Sequence, residues 1–159
     1  MKLNHKIEIN LLDFIKTGKF DYVTIGHTKE WISANFPEPD FKTKSKNKLS
    51  CWGYGKIEFW FVDEKLNMIF TDHIENLEAG SEIELDKSIF SDQNANKLNL
   101  IQSKLNENYI DYQIQHQKNL EQIIMTINQS KMELRFGFYD EKTKKDDYEL
   151  YSIALKAHT

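Results

Sequence analysis

The chain predicts an α+β domain made of two α/β repeats, with helices packed on one face of antiparallel β-sheet. Three observations predict it. Ile57, Phe59 and Phe61 alternate with Lys56, Glu58, Trp60 and Val62, the period-2 pattern of a strand with one buried face. Ile7, Leu11, Phe14 and Ile15 recur at i, i+4, i+7 and i+8, one face of a helix. The 159 residues are 40% hydrophobic and include ten Phe, seven Tyr and three Trp, side chains that cover sheets well. That length suits one compact domain, or two small repeats sharing a core.

Taken in order, residues 6–17 read as a helix stopped by Gly18. Tyr22, Val23 and Ile25 mark a short extended segment ending at Gly26. Thr28 caps a helix over 28–35, with Glu30 early in it to meet the dipole, and the helix ends before Pro37. FPEPDF is a rigid turn. Lys42, Lys44, Lys46 and Lys48 follow in a wholly polar stretch, read as a solvated loop or as a basic lip for an acidic partner. Cys51 to Thr71 reads as a hairpin: a strand through Val62, the polar turn Asp63-Glu64-Lys65, and a return from Leu66 to Thr71. Residues 73–91 look like a connection, with a short strand over Glu82–Leu85. A third helix is expected over 93–107, from Leu98, Ile101 and Leu105. Tyr109, Ile110, Tyr112 and Ile114 suggest a strand. Residues 120–127 read as a strand, although Leu120, Ile123, Ile124 and Ile127 also fit helical spacing. Met132, Leu134, Phe136 and Phe138 alternate, and Tyr148, Leu150, Ile153 and Leu155 belong to a last strand.

The halves echo each other. Lys56-Ile57-Glu58-Phe59-Trp60-Phe61, followed by Asp63-Glu64-Lys65, compares with Lys131-Met132-Glu133-Leu134-Arg135-Phe136, followed by Asp140-Glu141-Lys142. This suggests a first repeat over 1–80 and a second over 81–159.

The net charge of −4 runs against a nucleic-acid binder, which usually carries a basic surplus. It suits a basic partner and is also ordinary for a soluble protein. Cys51 is the single cysteine, so no disulfide forms within the chain. The N-terminus has no signal-peptide core, and no apolar run approaches the ~20 residues that span a bilayer. A cytoplasmic location without a membrane partner is expected. His5, His27, His73, His116 and His158 include no i, i+4 pair and no Cys–His cluster, so no metal or cofactor is expected. Asp72, His73 and Glu75 form the one crowding of carboxylates around a histidine. They could orient an imidazole for general-base work, or be a polar strand end. Cys51 has no activating base nearby in sequence and reads as a packing residue. Gly53-x-Gly55 is no phosphate loop; these glycines allow a bulge or a close backbone approach. The reading is therefore of a protein that is not an enzyme.

Trp60 is the anomaly, a large aromatic on the polar face of its strand. It is either covered by the chain itself or presented to a partner. Glu58 and Glu133 hold the same place in the two echoing blocks. With Trp60, and with the acidic stretch Glu82, Glu84 and Asp86, they make the candidate partner-binding set.

One pattern goes further. Phe20-Asp21-Tyr22-Val23-Thr24-Ile25-Gly26-x-Thr28-Lys29-Glu30 leads to Phe36-Pro37-x-Pro39-Asp40 and then to Trp52-Gly53-Tyr54-Gly55-Lys56-Ile57-Glu58-Phe59-x-Phe61. Over about residues 20–72 this resembles an arrangement found in small bacterial proteins, some of which sit beside toxin genes as immunity proteins. It is similar, more distantly, to the fold shared by the outer-membrane assembly lipoprotein BamE and the β-lactamase inhibitory protein. Phe36 stands where a glycine is usual before the proline, and the lipoprotein signal of the envelope members is lacking. The resemblance implies two helices on an antiparallel sheet and binding rather than catalysis. It points to an immunity protein that neutralises a cognate toxin, and the acidic balance makes that toxin a basic protein; the alternatives are a small enzyme using Asp72, His73 and Glu75 and a housekeeping binding protein without a toxin partner.

Overall fold

Phe59 stands at the centre of the packing. Its ring lies 4.7 Å from Tyr54, 5.6 Å from Phe20 and 6.0 Å from Phe36. A computed structural model of the chain describes residues 6–91, 95–138 and 148–158. In chain order the elements are β1 (Ile7–Asn10), α1 (Leu11–Thr17), α2 (Lys29–Asn35), β2 (Phe41–Lys42), β3 (Leu49–Tyr54), β4 (Ile57–Val62), β5 (Lys65–Thr71) and β6 (Ile83–Asp86). Then come α3 (Leu98–Glu107), β7 (Tyr112–Gln117), β8 (Gln122–Ile127), β9 (Glu133–Gly137) and β10 (Glu149–Lys156). Among the described residues the fold is α+β. Three α-helices accompany an antiparallel eight-stranded sheet in the order β2-β3-β4-β5-β10-β9-β8-β7, and β1 pairs with β6 in a separate parallel ribbon.

The core lies on one face of the large sheet. Leu11, Phe14 and Ile15 of α1, Ile32 of α2, and Ile101 and Leu105 of α3 join one buried cluster. The inward residues of β4 (Ile57, Phe59, Phe61) and of β9 (Leu134, Phe136) belong to the same cluster. Burying each such side chain contributes about 1.5–3 kcal/mol of transfer free energy. Ile9 and Ile83 carry the β1–β6 ribbon into that cluster. The Ser130 hydroxyl donates to the Ile15 carbonyl at 2.7 Å, tying α1 to the β8–β9 turn.

The hairpin of β4 and β5 forms as expected, but the strand expected from Cys51 through Val62 is two strands, because a turn at Gly55 and Lys56 folds β3 back to pair with β4. Asp63 (φ 50°) and Glu64 (φ 65°) are the two central residues of its turn, both left-handed, so Lys65 already belongs to the returning strand. The helix over 28–35 is also found, with the Thr28 hydroxyl accepting the Trp31 N–H at 3.1 Å.

Several boundaries differ. The helix expected over 6–17 begins only at Leu11. Asn10 has an extended backbone, and its side chain caps the helix by accepting the Asp13 N–H at 3.0 Å. Ile7 and Ile9 instead pair with Ile83 and Leu85. The extended segment expected at 22–25 is a tight turn, closed by reciprocal backbone bonds between Phe20 and Val23 with Asp21 at φ 58°. The third helix starts at Leu98 rather than 93, because Lys97 is extended and bridges to Glu149. Tyr109 and Ile110 end that helix instead of opening a strand: Tyr109 is left-handed, and the Ile110 N–H returns to the Leu105 carbonyl at 2.9 Å. Residues 122–127 are strand, and Leu120 sits in a single 3₁₀ turn before it. The compared turn Asp140-Glu141-Lys142 lies outside the described residues.

Candidate functional site: the open face of the sheet

The register aligns one outward residue from every strand. Phe41, Gly53, Glu58, Phe70, Ala154, Glu133, Thr126 and Gln113 are successive cross-strand partners and form one row across the sheet. Alternation places this row on the face away from the core. Glu58 and Glu133 are therefore on one surface, three strand spacings or about 14 Å apart. A neighbouring row runs Cys51, Trp60, Met68 and Lys156.

This face has its own apolar content. Trp60, Met68 and Phe70 are half-buried and belong to no part of the helix-covered cluster. Phe41 is 46% exposed, Leu49 44% and Val62 42%. Gly53 leaves room for the Phe41 ring, which lies where a Cβ would stand. Gly55 (φ 58°) instead opens the β3–β4 turn, its N–H donating to Asp40 at 2.6 Å. Cys51 is buried beside Trp60, and burial, with Glu58 nearby, pushes its thiol up to about 11.

The two carboxylates differ in company. Glu58 accepts the Trp60 indole N–H at 2.9 Å, and among the described residues no cation pairs with it. Glu133 accepts from Arg135 at 3.2 Å and stands 3.5 Å from the Lys156 ammonium. Its charge is locally balanced; that of Glu58 is not.

A cleft of about 470 Å³ opens among residues at the ends of β5, β8, β9 and β10, lined by Asp72, Leu120, Glu121, Gln122, Phe138 and Tyr151. The Tyr151 hydroxyl donates to the Gln122 side-chain oxygen. Asp72 Oδ1 is 3.4 Å from His73 Nε2, with both side chains more than half exposed, and Glu75 is exposed two residues on. Among the described residues no three His, Cys, Asp or Glu side chains converge as metal ligands would.

Of the sequence-derived set, the structure brings Glu58, Trp60 and Glu133 onto one face. Glu82, Glu84 and Asp86 lie at and along β6, in the other sheet; the Asp86 carboxyl is held below its usual range by the Ser88 N–H and also accepts from Asn10. Lys42 lies over the Trp52 ring at 4.6 Å and Lys48 is 3.6 Å from Asp63, local contacts at either end of a solvated loop. Sequence reasoning missed Met68, Phe70 and Tyr151. Met68 and Phe70 could not have been found by strand parity, which carried across the two-residue turn puts Asn67 and Ile69 on the Trp60 face; a register shift beside Trp60 and Phe61 brings Met68 and Phe70 there instead. Nor could Tyr151, because a bulge between Leu150 and Ser152 sets its direction.

No family model, curated protein or solved structure matches the chain. No helix among the described residues is long and apolar enough to cross a membrane.

Proposed function

We propose that the chain is a cytoplasmic protein-binding module, an immunity protein that neutralises a cognate bacterial toxin by covering a basic surface of it with the open face of the sheet. One observation carries this reading: Trp60 stands half-buried on the face without helices, beside the uncompensated carboxylate of Glu58. A Trp held there contributes most when a partner completes its burial. An unbalanced carboxylate beside it attracts a basic partner and speeds encounter. The carboxylates of Asp72 and Glu121 in the cleft favour the same sign of partner. The sequence resemblance to immunity-type proteins points the same way. Glu133 is part of the proposed contact, in a lesser role because Arg135 and Lys156 already balance it. Glu82, Glu84 and Asp86 could join only as a separate contact from the second sheet.

We further infer two α/β repeats, over 1–80 and 81–159, of the kind seen in BamE and the β-lactamase inhibitory protein. The sheet order supports this, since β2-β3-β4-β5 is followed outward by β10-β9-β8-β7. So does the matching burial of Ile57, Phe59 and Phe61 with Met132, Leu134 and Phe136.

The test uses the protein encoded beside this chain's gene as the candidate toxin. Trp60→Ala should raise the dissociation rate, by a loss of about 2 kcal/mol or more. Glu58→Lys should slow association and weaken its salt dependence, with a smaller effect from Glu133→Lys. Unchanged rates in both Trp60→Ala and Glu58→Lys would remove this face from the binding site. A parent protein that neither binds nor protects against the neighbouring product would end the immunity reading.

A further inference from the structure

The two outer edges of the large sheet are built differently. At one end β2 has only two residues, follows Pro37 and Pro39, and leads into a stretch with Lys42, Lys44, Lys46 and Lys48. Short length, proline and lysine are the devices that keep an edge from pairing with another chain. At the other end β7 reads Tyr112-Gln113-Ile114-Gln115-His116-Gln117, six residues with no Asp, Glu, Lys, Arg or Pro. Ile114 is 42% exposed on it.

The hydrogen-bond phase of β7 follows from one bond. The Asn128 N–H donates to the Asp111 carbonyl at 2.9 Å, which makes that pair hydrogen-bonded in the β7–β8 register. In an antiparallel ladder the hydrogen-bonded pairs alternate. Gln113, Gln115 and Gln117 therefore turn their backbone groups toward β8, and Tyr112, Ile114 and His116 turn theirs outward. Among the described residues no strand meets those outward groups.

We propose that β7 pairs with β7 of a second copy of this chain, antiparallel, about a twofold axis at Ile114. That register makes hydrogen-bonded pairs of Ile114 with Ile114 and of Tyr112 with His116, using all three outward N–H and C=O groups of each copy. Gln113 of one copy then stands directly opposite Gln115 of the other, on the open face, where the neutral amides meet without like charges. The axis preserves the faces, so core side continues into core side and the partner-covered Ile114 loses its exposure. Both lysine-guarded β2 edges become the ends of a sheet twice as wide, and Trp60 stays accessible in each copy. This inference is independent of any toxin.

The test is the mass in solution by sedimentation, measured over a wide range of concentration, with circular dichroism to show that each variant is folded. The parent should sediment at twice the chain's mass. Ile114→Pro removes an outward N–H that the chain's own ladder does not use, and should give a monomer. Gln113→Lys with Gln115→Lys sets like charges opposite each other and should also give a monomer. Gln113→Lys with Gln115→Glu sets Lys opposite Glu at both places and should restore the dimer. A parent that is monomeric at the highest concentration overturns the proposal. So does a folded Lys/Lys variant that stays dimeric, or a Lys/Glu variant that stays monomeric, because only this register brings 113 opposite 115.

Discussion

On β4, Glu58 lies two residues from Trp60; on β9, Glu133 lies two residues from Arg135. Toward the core the two strands match, with Ile57, Phe59 and Phe61 buried on one side of the comparison and Met132, Leu134 and Phe136 on the other. Away from the core they part. Glu58 accepts the Trp60 indole N–H with no cation beside it among the described residues, while Glu133 is balanced by two cations. Inward positions must satisfy close packing, which accepts Phe or Leu alike if volume is filled. Outward positions answer only to solvent and partners. Chemistry therefore differs there on strands whose inward faces match.

The largest expected effect tests the inward match. Phe59→Ala should cost roughly 3–5 kcal/mol and Leu134→Ala roughly 2–5 kcal/mol, since each leaves a cavity in a site with no exposure. Denaturation midpoints measure both, and an unchanged midpoint for either would break the equivalence of β4 and β9.

A smaller effect separates the outward faces. Cys51 is covered by its cross-strand neighbour Trp60 and has a thiol pushed up to about 11. Alkylation near neutral pH should be slow and should keep rising beyond pH 9 toward pH 11, because the thiolate is the nucleophile. Trp60→Ala should speed it by about tenfold, equivalent to about 1.4 kcal/mol of lost protection. Arg135→Ala should leave it alone. The raised thiol also has a sign for stability. Between pH 9 and about 11 the unfolded chain loses the proton first, so stability falls with rising pH in that window.

The smallest effect concerns charge. Glu133→Gln should cost about 0.2–1 kcal/mol, shrinking in high salt, because its two ion pairs are partly exposed. Glu58→Gln should change stability by less than about 0.5 kcal/mol. Equal, salt-independent losses would show that the two carboxylates are not differently balanced.

Strand β4 of the hairpin was legible because one face is buried and its alternation is unbroken, whereas β5 carries a register shift beside Trp60 and Phe61. The N-terminal stretch was not, because Ile7, Leu11, Phe14 and Ile15 satisfy a helix while Ile7 and Ile9 equally satisfy a strand. What decides is Asn10, whose cap sets the boundary. Residues 120–127 carried a similar ambiguity, and in the strand Ile124 points to the open face, opposite Ile123 and Met125. Glu58 and Trp60 could be singled out by parity within one strand. Their alignment with Phe70, Ala154 and Glu133 could not, because cross-strand neighbours come from register between segments far apart in sequence.

The parallel ribbon of β1 and β6 has a consequence for synthesis. Asn10 and Asp86, joined at 3.1 Å, are 76 residues apart. On a ribosome moving at about 5–20 residues per second, the first strand waits roughly 4–15 s for its partner to be made. Meanwhile β3, β4 and β5, joined by short turns, can already close around Phe59. Strand β1 thus cannot pair until β6 has been made, and until then Ile7 and Ile9 are open to chaperones and to neighbouring nascent chains.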